Sequence, residues 1–451
     1  MSTTPSTTIR LRRLDLRARA SDAEVARERD ALCRRGAVAD PGVRDAVRAI
    51  LEDVRTRGAD AVREANERFG GGLLDGRLVI GPEELQSAAA GLPVDLRQAI
   101  ERAIANVRVV AEAGLPHSTS TSPVPGVVVE RRWTPLARIG AYVPGGTAPL
   151  PSSLVMTVAP AQVAGVAEIV VATPARSDGA ADPVVLGAAG LLGLDAMLVA
   201  GGAQAIGALA FGLPGVTPPV DRIVGPGSVW VTAAKLELVG LVGIDLPAGP
   251  SEGVVLATPP ATPQRVAADL LTQAEHGPDS PVLLVTTDPA FGDAVEAAMT
   301  IRLESAARSG ILGRALADHG RIVLAADLDE AIAFVNDYAP EHLSVDLPEE
   351  HLESAVARLR TAGSLFVGPW APESAGDYAT GANHVLPTGG LARSESPLSV
   401  ATFGRFTQVQ RLTRDGLQAL RPTIRALAEA EGLLAHRDAV EARFAETELA
   451  R

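Results

Sequence analysis

The chain has 451 residues, of which 47% are hydrophobic, 21% charged and only 3% aromatic. It is too long for one ordinary core, and its composition is that of a globular protein with an aliphatic interior. The formal net charge of −13 argues against nucleic acid as a partner, because a phosphate backbone repels an acidic surface. The single cysteine, Cys33, excludes an internal disulfide and a zinc site built from several thiolates.

Residues 1–8 are predicted to form a disordered tail, and residues 20–115 are predicted to be mainly helical. Ala, Val and Leu recur at helical spacing over residues 41–68 and 82–113. The N-terminal sequence lacks the apolar core of a signal peptide, and prolines interrupt the longest uncharged run, residues 139–167. We therefore expect a cytoplasmic protein that does not span a membrane.

Short apolar strands alternate with helices from residue 168 onwards, pause at residues 251–262 and continue to residue 367. Such alternation is typical of βαβ units and parallel sheets. The pattern predicts an α/β fold with two doubly wound, incomplete Rossmann-like parallel-sheet domains, an N-terminal helical arm and a small C-terminal helical extension. Because parallel sheets bind ligands beyond the carboxyl ends of their strands, we expect the functional loops there.

The segment LLTQAEHGPDS places Gln273 and His276 three residues apart, so that both project from one face of a helix. A carboxamide oxygen and an imidazole on adjacent turns can chelate one cation. The alternative is an ordinary helix end at which His276 complements the helix dipole.

The segment NDYAPEHLSV places Glu341 beside His342 just before a predicted strand. An imidazole titrates near operating pH and a neighbouring carboxylate can tune it, so this couple suits general acid–base catalysis. Adjacent residues of an extended chain point in opposite directions, however. The couple can serve one substrate only if the backbone turns here, and the alternative is a surface pair at a strand start.

Two further segments carry candidate ligands. Residues 368–390 form a long stretch without helical or strand period, which favours a functional loop, and it contains Glu373, Asp377 and His384. An aspartate among glycines also commonly forms a turn. Near the C-terminus, EGLLAHRDAV contributes Glu431 and His436, although a lone histidine on a helix is often structural. Gln, His, Asp and His together suit zinc, and equally Mn²⁺ or Co²⁺.

No strict GxGxxG nucleotide motif occurs, but three glycine-rich segments each follow an apolar strand. A pyrophosphate could bind there at a helix start, and each segment is also typical of a tight βα turn. The three segments are YVPGGTAPLPSS, GGAQAIGA and GPGSVWV.

Taken together, these segments resemble histidinol dehydrogenase. The resemblance spans residues 139–440, in the family's order. It rests on GAYVPGGTAPLPSS, GGAQAIGALAFG, GPGSVWVTAAK, DLPAGPSE, LLTQAEHGPDS, DYAPEHL, GPWAPESAGDYATGANHVLPTGG and EGLLAHRDAV.

The resemblance implies oxidation of L-histidinol to L-histidine through the aldehyde, with two NAD⁺ reduced in turn and one Zn²⁺ bound per subunit. It implies an acid–base pair, Glu341 and His342, and four zinc ligands, Gln273, His276, Asp377 and His436. The zinc ligands and His342 would also contact the substrate, together with Ser251, His384 and Glu431. The implied NAD contacts are Tyr142, Gln204 and Ser228. At position 228 the family usually has Asn, and the shorter Ser reaches less far, so we expect weaker NAD affinity and an unchanged reaction.

The resemblance also implies an intertwined homodimer in which the C-terminal segment completes the partner's site. We expect an arm at 1–40, a first Rossmann-like domain from 41–138 and 251–392 with the zinc and acid–base residues, a second at 139–250 on the NAD side, and a C-terminal extension at 393–451. Two rival functions stay open on the residues alone: a zinc hydrolase with metal-bound water as nucleophile, and a non-catalytic metal- or nucleotide-binding protein.

Overall fold

The computed structural model describes residues 9–17, 23–36, 40–145 and 149–449. The predicted tail at 1–8 and part of the first glycine-rich segment, 146–148, lie outside these ranges. Within them, no helix is both long enough and apolar enough to cross a membrane.

The helices of the described ranges are α1 (Ala23–Cys33), α2 (Pro41–Arg57), α3 (Ala59–Phe69), α4 (Pro82–Ala90), α5 (Val94–Ala113), α6 (Pro151–Ala164), α7 (Pro183–Leu191), α8 (Gly202–Phe211), α9 (Val229–Glu237), α10 (Pro263–Ala274), α11 (Pro289–Leu303), α12 (Ser309–His319), α13 (Leu328–Tyr338), α14 (Glu349–Arg358), α15 (Glu373–Tyr378), α16 (Arg414–Ala430) and α17 (Leu434–Leu449).

The strands are β1 (Arg12–Asp15), β2 (Val79–Ile80), β3 (Thr119–Val124), β4 (Val127–Pro135), β5 (Arg138–Tyr142), β6 (Glu168–Thr173), β7 (Met197–Val199), β8 (Arg222–Val224), β9 (Gly243–Ile244), β10 (Gly253–Ala257), β11 (Val282–Thr286), β12 (Gly320–Leu324), β13 (His342–Asp346), β14 (Ser364–Val367) and β15 (Gly404–Leu412). The chain divides into two compact units, one of Met1–Gly114 with Leu136–Phe403 and one of Leu115–Pro135 with Gly404–Arg451.

The first unit contains two six-stranded sheets. Sheet 1 has the order β1-β12-β11-β10-β13-β14, and all its neighbouring strands are parallel. Every residue of β10, β11 and β12 is buried, as expected for strands covered by helices on both faces. From β10 to β14 the chain winds outwards in both directions, which makes the sheet doubly wound.

Sheet 2 has the order β2-β7-β6-β5-β8-β9, so the five strands from β5 to β9 repeat the winding of β10 to β14. The strand β2 closes one edge in antiparallel orientation. The predicted α/β fold with two incomplete Rossmann-like sheets is confirmed. The two sheets share their strand order without an evident repeat in the sequence.

The expected boundaries of residues 1–40 and 41–138 differ from the packing. The expected arm contains β1, which pairs with β12 at the edge of sheet 1. Residues 41–138 were joined to the domain of sheet 1, whereas β2 pairs within sheet 2 and helix α2 packs against α8 and α9. The reason is the apolar face of α2: Val47, Leu51 and Val54 share one buried cluster with Ile206 and Leu209 of α8.

The second unit is built on an antiparallel sheet of order β15-β4-β3 with helices α16 and α17. Strand β4 pairs with β15 along nine residues, from Val127 with Leu412 to Pro135 with Gly404. The expected C-terminal extension begins at residue 393, but the unit begins at Gly404 and includes residues 115–135. The α16–α17 pair was predicted from its amphipathic pattern, whereas the sheet was not.

Candidate active site

A cavity of about 620 Å³ opens in the first unit where two sheet edges meet. From sheet 2 it is lined by Pro226 and Ser228, which follow β8 at its carboxyl end. From sheet 1 it is lined by Ser251, which precedes β10, and by His342, the first residue of β13. The cavity therefore uses the carboxyl edge of sheet 2 and the amino edge of sheet 1, so the expectation of carboxyl ends is met by sheet 2 only.

Glu341 and His342 face the same space because the chain turns just before them. Ala339 ends helix α13 in the left-handed region, with φ of 53°, and Pro340 follows. The His342 Nδ1 lies 3.6 Å from the Glu341 Oε2. That carboxylate oxygen accepts hydrogen bonds from the Ser251 hydroxyl at 2.9 Å and from the Glu252 amide at 2.8 Å. The two side chains thus form one couple despite being neighbours in sequence.

The His342 ring is buried among carboxylates. Its Nε2 lies 3.9 Å from the Asp377 Oδ1, and neither ring nitrogen has a hydrogen-bond partner among the described residues. Burial opposes a charge on the ring, but Glu341, Glu373 and Asp377 outweigh it and raise the pKa of His342 to about 10. The ring stacks on Phe366, with 6.0 Å between centroids, which fixes its plane.

Helix α15 lies inside the stretch that was predicted to lack regular structure, and it carries both Glu373 and Asp377. Their spacing of four residues puts them on one face, and both are buried. Burial raises the pKa of Glu373 to about 8 and that of Asp377 to about 6. Sequence reasoning noted Glu373 without giving it a role, although this spacing was the available signal.

A cluster that could hold a metal ion lies at this point. Ligand atoms of His276, Glu373 and Asp377 lie within 4.8 Å of one another. Three residues before His276, the Gln273 side chain is 1% exposed, and its amide oxygen and nitrogen both lack a hydrogen-bond partner within the described ranges. Buried amides are normally paired, so this orphaned amide and the crowded cluster fit a divalent cation bound by nitrogen and oxygen ligands.

His384 completes this side of the cavity. Its Nδ1 lies 3.1 Å from the Asp377 carbonyl oxygen, and its Nε2 lies 3.4 Å from the Ser153 hydroxyl. Burial lowers the pKa of His384 to about 4, so the ring is neutral at physiological pH. A neutral imidazole between two oxygen groups is suited to hydrogen bonding with a ligand rather than to carrying charge.

The residues predicted for the NAD side separate into two groups. Ser228 lines the cavity as the N-cap of α9, and no side chain in the described part of the chain caps that helix start. The free backbone N–H groups at the start of α9 can donate hydrogen bonds to a phosphate. Tyr142 and Gln204 are buried outside the cavity lining. The Tyr142 hydroxyl accepts from the Gly202 amide at 3.2 Å, at the start of α8.

The turn that carries Ser228 is held in place by contacts with Tyr142 and Lys235. Gly225 has φ of 109°, and an added Cβ there would meet the Tyr142 carbonyl oxygen at 2.1 Å. The Lys235 ammonium donates to the Gly225 carbonyl at 3.0 Å and pairs with Asp245. This lysine is buried, so its ion pair with Asp245 holds the turn from inside the domain.

The remaining predicted site residues belong to the second unit. Glu431 follows helix α16 and His436 lies in the first turn of α17, and both are exposed. Their expected roles in a partner's site stay predictions. The only cysteine, Cys33, is buried at the end of α1, and burial raises the pKa of its thiol.

Comparison with known proteins gives one consistent family. The family model described as histidinol dehydrogenase matches residues 33–444. The chain is 44% identical over 426 residues to the histidinol dehydrogenase of Xanthomonas axonopodis pv. citri, covering 94% of this chain and 98% of the relative. It is 47% identical over 405 residues to that of Leifsonia xyli subsp. xyli, covering 88% and 91%.

A solved structure agrees with these sequences. The crystal structure of histidinol dehydrogenase from Elizabethkingia anophelis has a TM-score of 0.89 and 36% identity to this chain, with coverage of 97% and 99%. On the family model, the relatives and this structure together, the chain belongs to the histidinol dehydrogenase family.

Proposed function

We propose that this chain oxidises L-histidinol to L-histidine through L-histidinaldehyde, reducing two NAD⁺ in the last steps of histidine biosynthesis. The observation that carries the proposal is the Glu341–His342 couple, which faces a buried group of imidazoles and carboxylates in a cavity between two Rossmann-like sheets. An alcohol oxidation needs a base beside the hydroxyl and a bound cofactor that accepts hydride. The edge of sheet 1 would supply the base, and the edge of sheet 2 would bind the cofactor.

Zinc would be held by Gln273, His276 and Asp377, with the partner's His436 as the fourth ligand. When bound, zinc would orient the imidazole and amine of histidinol as a Lewis acid. The crowding of carboxylates around His342 supports this assignment, since a divalent cation would compensate their charge. With that charge compensated, less negative potential would face the ring, so the pKa of His342 would fall from about 10 and the ring could act as a base.

The acid–base couple performs two oxidations in this proposal. His342 takes the proton of the substrate hydroxyl while the carbon-bound hydrogen leaves as hydride to NAD⁺. Glu341 then takes a proton from water as the water oxygen adds to the aldehyde carbon, and the carbonyl oxygen takes the proton held by His342. This gives the hydrated aldehyde and returns His342 to its basic form. His342 deprotonates this diol as a second hydride leaves to a second NAD⁺. The buried cysteine is not needed, which distinguishes the route from thiol-based aldehyde oxidation.

Binding roles follow the same division. Ser251 and His384 line the cavity and would contact histidinol together with the partner's Glu431. Ser228 would contact NAD at the start of α9, while Tyr142 and Gln204 would shape the nucleotide side from buried positions. We propose a homodimer with shared sites, acting in the cytoplasm, where a chain with one cysteine needs no oxidising environment.

The proposal is tested by counting NADH formed per histidinol consumed by the purified, zinc-loaded protein. We expect two equivalents, with histidine as product. One equivalent would mean that the aldehyde is released and would refute the four-electron reaction. No NADH at all would refute the dehydrogenase assignment and leave the zinc hydrolase as the better reading of the same residues.

A further inference from the structure

The backbone of Glu252 holds both members of the acid–base couple. Its amide donates to the Glu341 Oε2 at 2.8 Å, and its carbonyl accepts from the His342 amide at 3.2 Å. The neighbouring Ser251 hydroxyl donates to the same carboxylate oxygen. A shift of the Glu252 backbone would therefore move the Glu341 carboxylate relative to the His342 ring.

The side chain of Glu252 is a buried carboxylate that is anchored by the N-terminal segment. It is 2% exposed, and Arg35 grips both of its oxygens, at 3.1 and 2.8 Å. The Gly389 amide donates to it at 3.1 Å. The Arg35 guanidinium lies 3.4 Å above the Tyr338 ring and also donates to the Tyr338 carbonyl at 3.0 Å.

The buried pair of Arg35 and Glu252 makes the loss of either partner unfavourable. A bidentate guanidinium–carboxylate pair is geometrically demanding, and removing one partner leaves the other charge buried and unpaired. Without Arg35, the Glu252 side chain would have to take up a proton or move towards solvent. Either response shifts the residue whose peptide holds Glu341. None of the roles proposed above uses Arg35 or Glu252.

We propose that Arg35 and Glu252 are positioning residues that fix the Glu341 carboxylate for the water-activation step. The inference rests on the proposed function only in giving Glu341 that role. Arg35 lies just after helix α1 and the next residue, Gly36, lines the cavity, so the N-terminal segment becomes a support for catalysis.

The first test is Arg35→Met, assayed separately with histidinol and with histidinaldehyde. We expect kcat for aldehyde oxidation to fall about 10- to 100-fold, the range for loss of a residue that orients a catalytic group, while KM and zinc content change little. Arg35→Lys should recover part of the loss, because an ammonium keeps the charge but cannot grip both oxygens. Full activity of Arg35→Met would overturn the inference.

A double-mutant cycle separates positioning from general damage. In a Glu341→Gln background there is no carboxylate left to position, so adding Arg35→Met should cause no further loss of aldehyde oxidation relative to histidinol oxidation, a ratio in which any effect through His342 cancels. A merely structural role predicts that the two losses multiply, and that result would overturn the inference.

The matched control is Arg393→Met. Arg393 anchors the same segment by donating to the Cys33 carbonyl at 2.8 Å, but it contacts neither Glu252 nor Glu341 in the described structure. We expect near-normal activity. A loss equal to that of Arg35→Met would assign the effect to docking of the segment and overturn the specific role of the Glu252 contact.

Amide hydrogen exchange at residues 250–254 gives a readout that does not depend on turnover. Arg35→Met should speed exchange of the Glu252 amide at least tenfold, and Arg393→Met should not. Unchanged exchange in Arg35→Met would overturn the inference even if activity fell. If the wild-type chain made no NADH, the proposed function would fail while this structural test still decided whether Arg35 holds the peptide.

Discussion

At the scale of single residues, the protonation of the site's side chains depends on two opposing effects, burial and the charges of their neighbours. Among the described residues, neither ring nitrogen of His342 has a hydrogen-bond partner, and Glu341, Glu373 and Asp377 surround the ring, so its proton affinity is set by these neighbours rather than by solvent. The sequence shows the Glu–His couple and the Gln–His spacing because both are local. It does not show that Asp377 joins them, since that contact crosses 35 positions of chain from His342.

The role of His342 can be tested by His342→Asn, which keeps a polar side chain of lower basicity. We expect kcat to fall about 10²–10⁴-fold, the usual contribution of a general base, while bound zinc per subunit is unchanged. Steady-state kinetics and elemental analysis give the two readings. A variant that stays near full activity would place the base elsewhere.

At the scale of secondary-structure elements, the regular parts were predictable and the short ones were not. The strands β10 to β14 are apolar runs separated by amphipathic helices, so their alternation is visible in the sequence. Helix α15 has six residues including Gly376, too few to produce a period, and β1 has four. The antiparallel sheet of the second unit pairs segments almost 300 residues apart, a pairing that no local pattern encodes.

The turn after β8 offers a test of the nucleotide side. Gly225→Ala adds a Cβ that meets the Tyr142 carbonyl oxygen at 2.1 Å, in a backbone region with φ of 109°. We expect about tenfold weaker NADH binding and a loss of about 1–3 kcal/mol in the free energy of unfolding, with zinc binding retained. Fluorescence titration and chemical denaturation measure these effects.

The control for that turn is Gly240→Ala. Gly240 has φ of 98°, but no described atom lies within 4 Å of its added Cβ. This variant bears the backbone strain without the clash, so its NADH affinity should match the wild type. Equal weakening by both variants would mean that strain anywhere in sheet 2, rather than the Gly225 turn, controls nucleotide binding.

Helix α10 carries a carboxyl whose titration affects stability. Burial and the nearby Asp346 raise the pKa of Asp269 from 3.8 to about 6. The folded state therefore favours the protonated form of Asp269. The contribution of this group to the free energy of unfolding is fully present below pH 4 and is lost as the pH rises through 6. Asp269→Asn cannot ionise, so between pH 4 and pH 8 it should gain about 1–2 kcal/mol relative to wild type, after allowance for solvent screening.

Urea unfolding at both pH values measures this gain. Asp318→Asn, at the exposed end of α12, serves as the control and should show a much smaller change. A constant difference between Asp269→Asn and wild type across this range would show that the Asp269 carboxyl does not titrate with a raised pKa.

At the scale of the whole molecule, the cavity joins opposite edges of two similar sheets. Sheet 2 contributes its carboxyl edge, where helix starts suit a nucleotide, and sheet 1 contributes its amino edge, where the acid–base couple lies. The expectation that ligands bind beyond the carboxyl ends of parallel strands predicts only the part of the site on sheet 2, because it considers each sheet by itself. The family resemblance supplied the missing half, and the residue pattern alone left a hydrolase and a binding protein open.

Sharing of sites across a homodimer can be tested by mixing two inactive variants, His342→Asn and His436→Asn. If the partner's His436 completes each site, a mixed dimer has one intact site and one doubly altered site. Random exchange of subunits should then restore about a quarter of wild-type activity. No recovery after verified subunit exchange would mean that each chain supplies its own His436.

The most direct measurement is an anomalous difference map at the zinc absorption edge, from crystals of the zinc-loaded protein. The account predicts one peak per subunit, in contact with Gln273, His276 and Asp377 and with the partner's His436, beside the Glu341–His342 couple. A peak at another location, or no peak at fully occupied zinc, would contradict it.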